Sequence, residues 1–196
     1  MDIIHARCRK IYESDLETLM KWRMMPEITK YMNTDPKLTM EDQKKWYASI
    51  LEDEKRPLTE REKFCWILEV DGVPSGFVSL VDIDYNAKKL QTGVYIAEKS
   101  KRSLRLIIDL QWNLYRYSFE KLGMNKVCEE VFAENKAVNR ILDICGSQRE
   151  GTLRQHIFKN GVYYDVVTRG ILKSEWEQKR RNLQYNYINF EEEGNA

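Results

Sequence analysis

Hydrophobic residues recur at helical spacing over the first fifty residues, after a short apolar run at 3–6 that predicts an edge strand. Ser14 is suited to cap a helix that should end at Pro26. Residues 28–32 predict a further helical turn, and Thr39 is suited to start the next helix. The N-terminal quarter of the chain is therefore expected to be largely helical.

The spacing then changes to that of β-strands. A nearly all-polar segment at 52–63 is expected to be an exposed loop, and apolar runs follow at 64–70, 76–83 and 90–97. Asp71 and Gly72 stand between the first two runs, where a type I′ turn needs two residues that tolerate positive φ. These runs therefore predict an antiparallel meander of three strands.

Helix and strand alternate in the second half. The expected elements are a helix at 104–122 ended by Gly123, a strand at 126–133, a helix at 137–144 ended by Gly146, and a hairpin of 156–158 and 162–172 turned at Asn160 and Gly161. A strand, a helix and a strand in succession imply a parallel pair joined by a right-handed crossover. The predicted class is mixed α/β, with a mostly antiparallel central sheet that contains one parallel strand pair and is flanked by helices.

Composition narrows the function further. The 32 Lys and Arg residues nearly balance the 31 Asp and Glu residues, which argues against nucleic acid as the main partner. The sequence lacks both an apolar run long enough to span a bilayer and a secretory signal, so a cytoplasmic protein without a membrane partner is expected. Four scattered cysteines and two histidines give little support for a metal site, and the cysteines are expected to be free thiols.

Several short motifs occur in a fixed order along the second half. They are Tyr117-Ser118-Phe119 before Leu122-Gly123, Glu130 five residues before Asn135, Asn139, Gly146-Ser147 and Glu150-Gly151. In this order and spacing the chain resembles the GCN5-related N-acetyltransferases (GNAT). It is similar to the Rim-type N-terminal acetyltransferases and to the amino-sugar N-acetyltransferases of the pseudaminic acid pathway. The resemblance covers most of residues 7–176. Residues 1–176 are expected to form a single domain, followed by a charged tail at 177–196 that includes a packed helix and a frayed acidic end.

The resemblance implies that an acetyl group moves from acetyl-CoA to a primary amine. The amine would belong to a small molecule, such as an amino-sugar nucleotide, or to a protein N-terminus. Cofactor contacts are then expected at Tyr95, Ile96, Arg102, Ser103, Leu104, Arg105 and Asn135. Glu130 is the candidate general base and Asn139 a candidate for orienting the cofactor sulfur, while Trp22, Arg23 and Tyr31 are candidates for lining the acceptor site.

Three positions depart from the family pattern. In the cofactor loop, Ser103 and Arg105 replace glycines that would let phosphates approach the backbone, although the basic residues there would attract phosphates. Leu142 stands where the sugar-nucleotide group has a tyrosine that protonates the departing thiolate, and leucine has no proton to give. The alternative is therefore a catalytically degenerate GNAT-like module that binds a ligand or partner. The tyrosine-rich tail and closing hairpin also offer surface for a homodimer.

Overall fold

The structure is a computed structural model that describes residues 5–192. Its strands are β1 (Ala6–Arg9), β2 (Phe64–Val70), β3 (Val73–Asp84), β4 (Lys89–Ile96), β5 (Lys126–Phe132), β6 (Gln148–Lys159), β7 (Val162–Leu172) and β8 (Asn189–Phe190). Its helices are α1 (Leu16–Arg23), α2 (Pro26–Thr29), α3 (Met40–Glu54), α4 (Leu104–Arg116), α5 (Lys136–Cys145) and α6 (Lys173–Arg180). The last turn of the helix that begins with α4 is a π-helical turn, Tyr117–Lys121.

The eight strands form one sheet in the order β6-β7-β5-β4-β3-β2-β1-β8. The central pair β4 and β5 is parallel, as is the short edge pair β1 and β8, and the other neighbours are antiparallel. The predicted meander is β2 to β4, and α4 is the predicted crossover between the parallel strands. The predicted mixed α/β class is thus confirmed.

Both predicted hairpin turns have the expected backbone. Asp71 and Gly72 have φ of 50° and 77°, and Asn160 and Gly161 have φ of 52° and 78°. Positive φ at both central positions matches the right-handed twist of the strands on either side. These two dipeptides therefore fix the register of the β2–β3 and β6–β7 pairs.

Each face of the sheet is covered by helices. On one face, Trp66 and Leu68 of β2 join the large core beneath α4 and α6. On the other face, Cys65 and Ile67 pack against α1 and α3. The alternation along β2 thus buries both faces of one strand, which is why residues 64–68 read as an unbroken apolar run.

The parallel pair separates near its middle. The register of β4 with β5 runs from Lys89 and Lys126 to Gln91 and Cys128. Beyond that point β5 continues to pair with β7, while β4 continues to pair with β3 as far as Ile96. The sheet therefore opens into a wedge between the second half of β4 and the second half of β5.

Predictions for the N-terminal segment need correction. The strand lies at Ala6–Arg9 rather than at 3–6, of which residues 3 and 4 are outside the described part of the chain. It is not an edge strand, because β8 pairs with its free side. Ser14 does not cap α1. Instead Asp15 accepts the backbone N–H of Tyr12 at 2.8 Å and holds Arg9 through two hydrogen bonds.

The helix boundaries also differ from prediction. Pro26 does not end α1, which stops at Arg23, but opens α2, where its missing N–H costs nothing. Thr39 caps α3 as expected, with Asp42 completing a capping box. The helix then runs to Glu54, into the predicted loop.

The segment 52–63 is also less exposed than predicted. Asp53 is buried because its carboxylate accepts the backbone N–H groups of Glu62 and Lys63 at 3.0–3.1 Å. The buried Arg61 side chain donates to the carbonyl oxygen of Glu54 at 2.6 Å. These two polar side chains are therefore buried because their hydrogen bonds join the end of α3 to the segment that follows it.

The final hairpin and the C-terminal segment are more ordered than their polarity predicts. Strand β6 begins at Gln148, eight residues before the predicted start, and its mostly exposed face explains the polar sequence. Helix α6 is present, and the chain after it returns to the sheet as β8. The division at residue 176 stays a prediction, although Ile188 and Phe190 beyond it are buried in the core.

Candidate active site

The wedge between β4 and β5 opens into a cavity of about 490 Å³. Its walls come from β4, β5, the first turns of α4 and α5, and the segment that contains α2. Three groups of predicted residues meet there: Tyr95 and Ile96 from β4, Glu130 from β5, and Arg23 and Tyr31 from the N-terminal helices. The structure therefore brings predicted cofactor, base and acceptor residues to one cavity.

Glu130 is exposed on β5 and lines this cavity. Its carboxylate forms no ion pair or hydrogen bond with any described residue. It lies opposite Thr168 of β7, past the point where β4 leaves the pair. A carboxylate with free lone pairs in an open cavity can accept a proton directly or through water.

Glu129, the neighbour of Glu130, was not predicted as a site residue. It points to the opposite face of β5, where it is 4% exposed, and it also lines the cavity. Tyr115 and Ser147 each donate a hydroxyl hydrogen bond to it at 2.7 Å, and Gln111 donates at 3.3 Å. Burial raises the pKa of this carboxyl, against the effect of those hydrogen bonds.

A sequence signal for Glu129 exists. Val127 and Val131 are both buried, so residue 129 falls on the inward phase of an alternating strand. A glutamate in that phase predicts a buried carboxyl with polar partners, because an unpaired one would be very costly. The partners come from α4 and from the turn after α5, which no local pattern identifies.

Two side chains of the predicted cofactor loop, Ser103 and Arg105, bind to groups of α4. Ser103 caps the helix by accepting the Leu106 N–H at 3.1 Å, and Arg105 pairs with Asp109 at 3.0 Å. Both side chains therefore bind to α4, and Arg105 also donates to the carbonyl oxygen of Gln184 at 3.0 Å. Leu104 is 56% exposed beside them.

The basic side chains of this loop are paired with acids. Lys101 pairs with Asp71 at 2.9 Å, and Arg102 pairs with Glu27 at 3.4 Å while donating to the carbonyl oxygens of Ile96 and Ala97. Arg102 also lines the cavity. The predicted attraction of phosphates is thus reduced, because each charge already has a counter-ion.

The α5 candidates differ in their placement. Asn135 lines the cavity and caps α5 by accepting the Val138 N–H at 3.3 Å. Asn139 lies outside the cavity lining, and its amide donates to the carbonyl oxygens of Phe132 and Asn135. Leu142 is buried and lines the cavity, so an apolar surface occupies the place expected for the proton donor.

The acceptor candidates lie on the opposite side of the wedge. Tyr31 packs edge-on against Phe132 with ring centroids 6.2 Å apart, and both line the cavity. Arg23 lines it as well. Trp22 is behind this surface, with its ring edge-on to Tyr95 at 6.4 Å, and does not itself form part of the lining.

Residues 5–192 offer neither a metal site nor a membrane-spanning helix. No group of three or more histidine, cysteine, aspartate or glutamate side chains is arranged to hold a metal ion within that range. None of the helices in it has the length and apolar character needed to cross a bilayer. The cysteines in this range are free thiols, and Cys8, Cys65 and Cys145 are buried.

The sheet splays between the parallel strands β4 and β5, and the first turn of α4 lies beside the opening. The sequence matches the acetyltransferase (GNAT) domain family over residues 7–148. The chain therefore belongs to the GNAT acetyltransferase family.

Individual relatives are more distant. The chain is 30% identical over 110 residues to the putative ribosomal N-acetyltransferase YdaF of Bacillus subtilis, covering 56% of this chain and 60% of that protein. It is 31% identical over 103 residues to the spermidine N(1)-acetyltransferase of Vibrio cholerae, covering 52% of this chain and 58% of that one. The matched regions thus span less than two thirds of both relatives.

The fold is also similar to a solved structure. The crystal structure of spermidine N-acetyltransferase from Vibrio cholerae in complex with CoA and spermine superposes with a TM-score of 0.75. The match covers 89% of this chain and 98% of that chain at 22% identity. At this identity the likeness concerns the fold.

Proposed function

We propose that this protein transfers the acetyl group of acetyl-CoA to a primary amine, with Glu130 as the general base. The observation that carries this proposal is the free carboxylate of Glu130 in the wedge between β4 and β5. The family to which the chain belongs supports the reaction class.

Acetyl-CoA supplies an activated thioester carbonyl when it is bound, and three features of the chain fit it. The wedge leaves the second half of β4 unpaired by β5, so an extended pantetheine arm has a strand edge to follow. Its lining by Ile107, Val138 and Ile141 is apolar, as that arm requires. The opening leads towards the N-terminus of α4, whose dipole favours anions.

The altered loop fits phosphates through its backbone. Ser103 and Arg105 turn their side chains towards α4, which leaves the N–H groups of Leu104 and Arg105 without a partner among the described residues. Helix N-termini bind phosphates through such groups. Phosphate binding is therefore assigned to N–H groups of α4 rather than to the paired side chains of Lys101 and Arg102.

Glu130 would take a proton from the acceptor ammonium so that the amine nitrogen can attack the thioester carbon. The carbon–sulfur bond then breaks, the attacking nitrogen loses its second proton to solvent, and the thiolate leaves past Leu142, which cannot protonate it. Two acceptor types follow from the resemblance to Rim-type and sugar-nucleotide enzymes, a protein N-terminus and an amino-sugar nucleotide. The catalytically degenerate binding module is the alternative, and the apolar Leu142 is the observation that favours it.

The test combines binding and turnover. Calorimetric titration with acetyl-CoA should give a micromolar dissociation constant, about −8 kcal/mol. Acetylation of a panel of primary amines, followed by mass spectrometry, should fall by roughly 10²- to 10⁴-fold in Glu130→Gln, the usual contribution of a general base. Acetyl-CoA binding should not change in that variant.

Glu134→Gln provides the matched control, because Glu134 is exposed and near the same end of β5. Its activity should stay close to that of the unmodified protein. Binding of acetyl-CoA without turnover of any amine would support the degenerate module. Absence of binding near millimolar acetyl-CoA would overturn acetyl transfer and leave a module that binds another ligand or a partner.

A further inference from the structure

One cation in the cleft lacks a counter-ion. Arg23 ends α1, is half-buried and lines the cavity. Its Nε is shielded from solvent, and its guanidinium makes no ion pair or hydrogen bond with any residue in the described range. Buried polar groups are nearly always paired, so an unpaired charged donor at a cavity wall indicates a missing anionic partner.

Other cations near Arg23 have counter-ions. Lys99 and Arg102 of the loop before α4 both pair with Glu27, at 2.8 and 3.4 Å. Lys21, on the same helix as Arg23, pairs with Glu17 at 2.7 Å. Arg23 thus differs from basic residues close to it in structure and sequence.

Tyr95 presents a second unpaired polar group beside Arg23. Its hydroxyl is buried without a hydrogen-bond partner among the described residues. Burial raises the pKa of Tyr95 and the charge of Arg23 opposes that shift, which places the guanidinium within electrostatic range of the ring. A single ligand group with several acceptor oxygens could satisfy both donors.

A smaller cavity adjoins this pair. It has a volume of about 130 Å³ and shares Arg23, Phe77 and Tyr95 with the larger cavity. Leu19, Leu38 and Trp46 form the rest of its apolar wall, and Asp42 and Gln43 complete the lining. Engineered apolar cavities of ~150 Å³ bind benzene, so this space suits an apolar group of about that size.

The two ends of the acceptor site therefore carry opposite charges. Neither the Glu130 carboxylate nor the Arg23 guanidinium has a partner among the described residues, and both side chains line the larger cavity. We propose that the acceptor is an amine that also carries an anionic oxygen group, a carboxylate or a phosphate, bound by Arg23, and an apolar branch held in the smaller cavity. This inference rests on the proposed acetyl transfer and specifies its substrate class. A polyamine, which has only cationic groups, would leave Arg23 unpaired and be repelled by it.

Matched acceptor pairs test the proposal. Acetylation by the full-length protein is measured for phenylalanine against phenylalaninamide, glycine against glycinamide, and O-phosphoethanolamine against ethanolamine, with spermidine as the polyamine. The anionic member should be favoured at least tenfold in kcat/KM in one carboxylate pair or in the phosphate pair, which identifies the anion. Phenylalanine should also exceed glycine.

Arg23→Gln should lower kcat/KM for the favoured acid by about 10- to 100-fold, the worth of a charge-assisted hydrogen bond. The substitution should change kcat/KM for the neutral amine of the same pair less than threefold, and it should leave acetyl-CoA binding intact. Lys21→Gln removes the same charge from the exposed side of α1 and should change neither value.

The outcomes separate the two proposals. Acetylation of amines without preference for any anionic member, or an equal loss for both members in Arg23→Gln, overturns the substrate class and leaves acetyl transfer standing. Equal rates for phenylalanine and glycine overturn the apolar branch. Failure to acetylate any amine, spermidine and ethanolamine included, overturns acetyl transfer itself.

Discussion

Two adjacent glutamates on β5 have opposite environments because a strand turns successive side chains to opposite faces. Glu130 faces the open cavity without a described partner, whereas Glu129 is held by Tyr115, Ser147 and Gln111. The sequence shows both residues but not their partners, since these lie 14 to 18 positions away along the chain. The resemblance therefore singled out Glu130, and Glu129 was missed.

The buried position of Glu129 makes stability depend on pH. Burial raises its pKa in the folded protein above the unfolded value of about 4.3, so between that value and the raised pKa the folded state binds more protons than the unfolded state. The stabilisation is fully present below about pH 4.3, the unfolded value, and is lost as pH rises through the folded pKa. Urea unfolding from pH 5 to 8 should show the wild-type protein losing stability relative to Glu129→Gln, by at most ~1.4 kcal/mol per pH unit.

The matched control for this series is Glu177→Gln, which alters an exposed carboxyl on α6. Its stability should follow that of the wild-type protein at every pH. The expectation is contradicted if the stability of the wild-type protein relative to Glu129→Gln stays constant or increases as the pH rises. Hydrogen bonds would then outweigh burial and hold the Glu129 pKa at or below its ordinary value.

At the scale of elements, the β6–β7 hairpin is tied to the acceptor side of the cavity. Lys159 is buried at the end of β6, and its ammonium donates to the carbonyl oxygens of Thr29 and Met32 at 2.5 and 3.0 Å. It also pairs with Asp35 at 2.9 Å. The segment thus held contains Tyr31, so the hairpin fixes one wall of the acceptor site.

Lys159→Met should loosen that wall. The lost charged hydrogen bonds should reduce the free energy of unfolding by roughly 1.5–3 kcal/mol. The KM for the amine acceptor should rise about tenfold, because small misplacements of a positioning surface cost that much or more. Acetyl-CoA affinity, measured by calorimetry, should not change, since its proposed contacts lie on β4, α4 and α5.

Lys44→Met, an exposed change on α3, is the control and should leave both the acceptor KM and the acetyl-CoA affinity unchanged. If Lys159→Met lowers stability but leaves the acceptor KM unaltered, the hairpin supports the fold without shaping the acceptor site.

Sequence patterns predicted the elements that local chemistry defines. The two hairpin turns, the meander and the long helix each follow from turn residues and apolar spacing within about twenty positions. The errors occur where distant polar partners decide the structure. The carboxylate of Asp53 is buried where it accepts the backbone N–H of Glu62. Arg7 and Arg9 lie in strand β1, where Glu69 of β2 pairs with both side chains.

The same limit applies to the site. The spacing of Glu130 and Asn135 placed them on a strand and at the start of a helix, and the structure brings both to the cavity. It did not show that the basic loop residues are already paired, that Asn139 binds backbone carbonyls, or that Arg23 has no described partner. Those facts depend on side chains from separate elements, which spacing along the chain does not specify.

At the scale of the whole molecule, the C-terminal segment contributes to the main core. Phe190 is 6% exposed and packs against Trp66 and Tyr117 with ring centroids 4.9 and 5.1 Å apart. Trp66 donates its indole N–H to the carbonyl oxygen of Glu191 at 3.1 Å, and Asn113 of α4 accepts the Ile188 N–H at the same distance. The predicted tail therefore closes the edge of the sheet over residues that would otherwise be exposed.

Phe190→Ala should consequently reduce the free energy of unfolding by about 3–5 kcal/mol, the usual cost of removing a buried aromatic side chain. Denaturant unfolding followed by Trp fluorescence measures this change, and Leu183→Ala, at a side chain that is 40% exposed, should stay within about 0.5 kcal/mol of wild type. Acetyl-CoA affinity of folded Phe190→Ala should be unchanged, because β8, which contains Phe190, is an edge strand separated from β4 by β3, β2 and β1. A loss below 1 kcal/mol would instead identify residues 177–196 as a separable tail and place the domain boundary at residue 176.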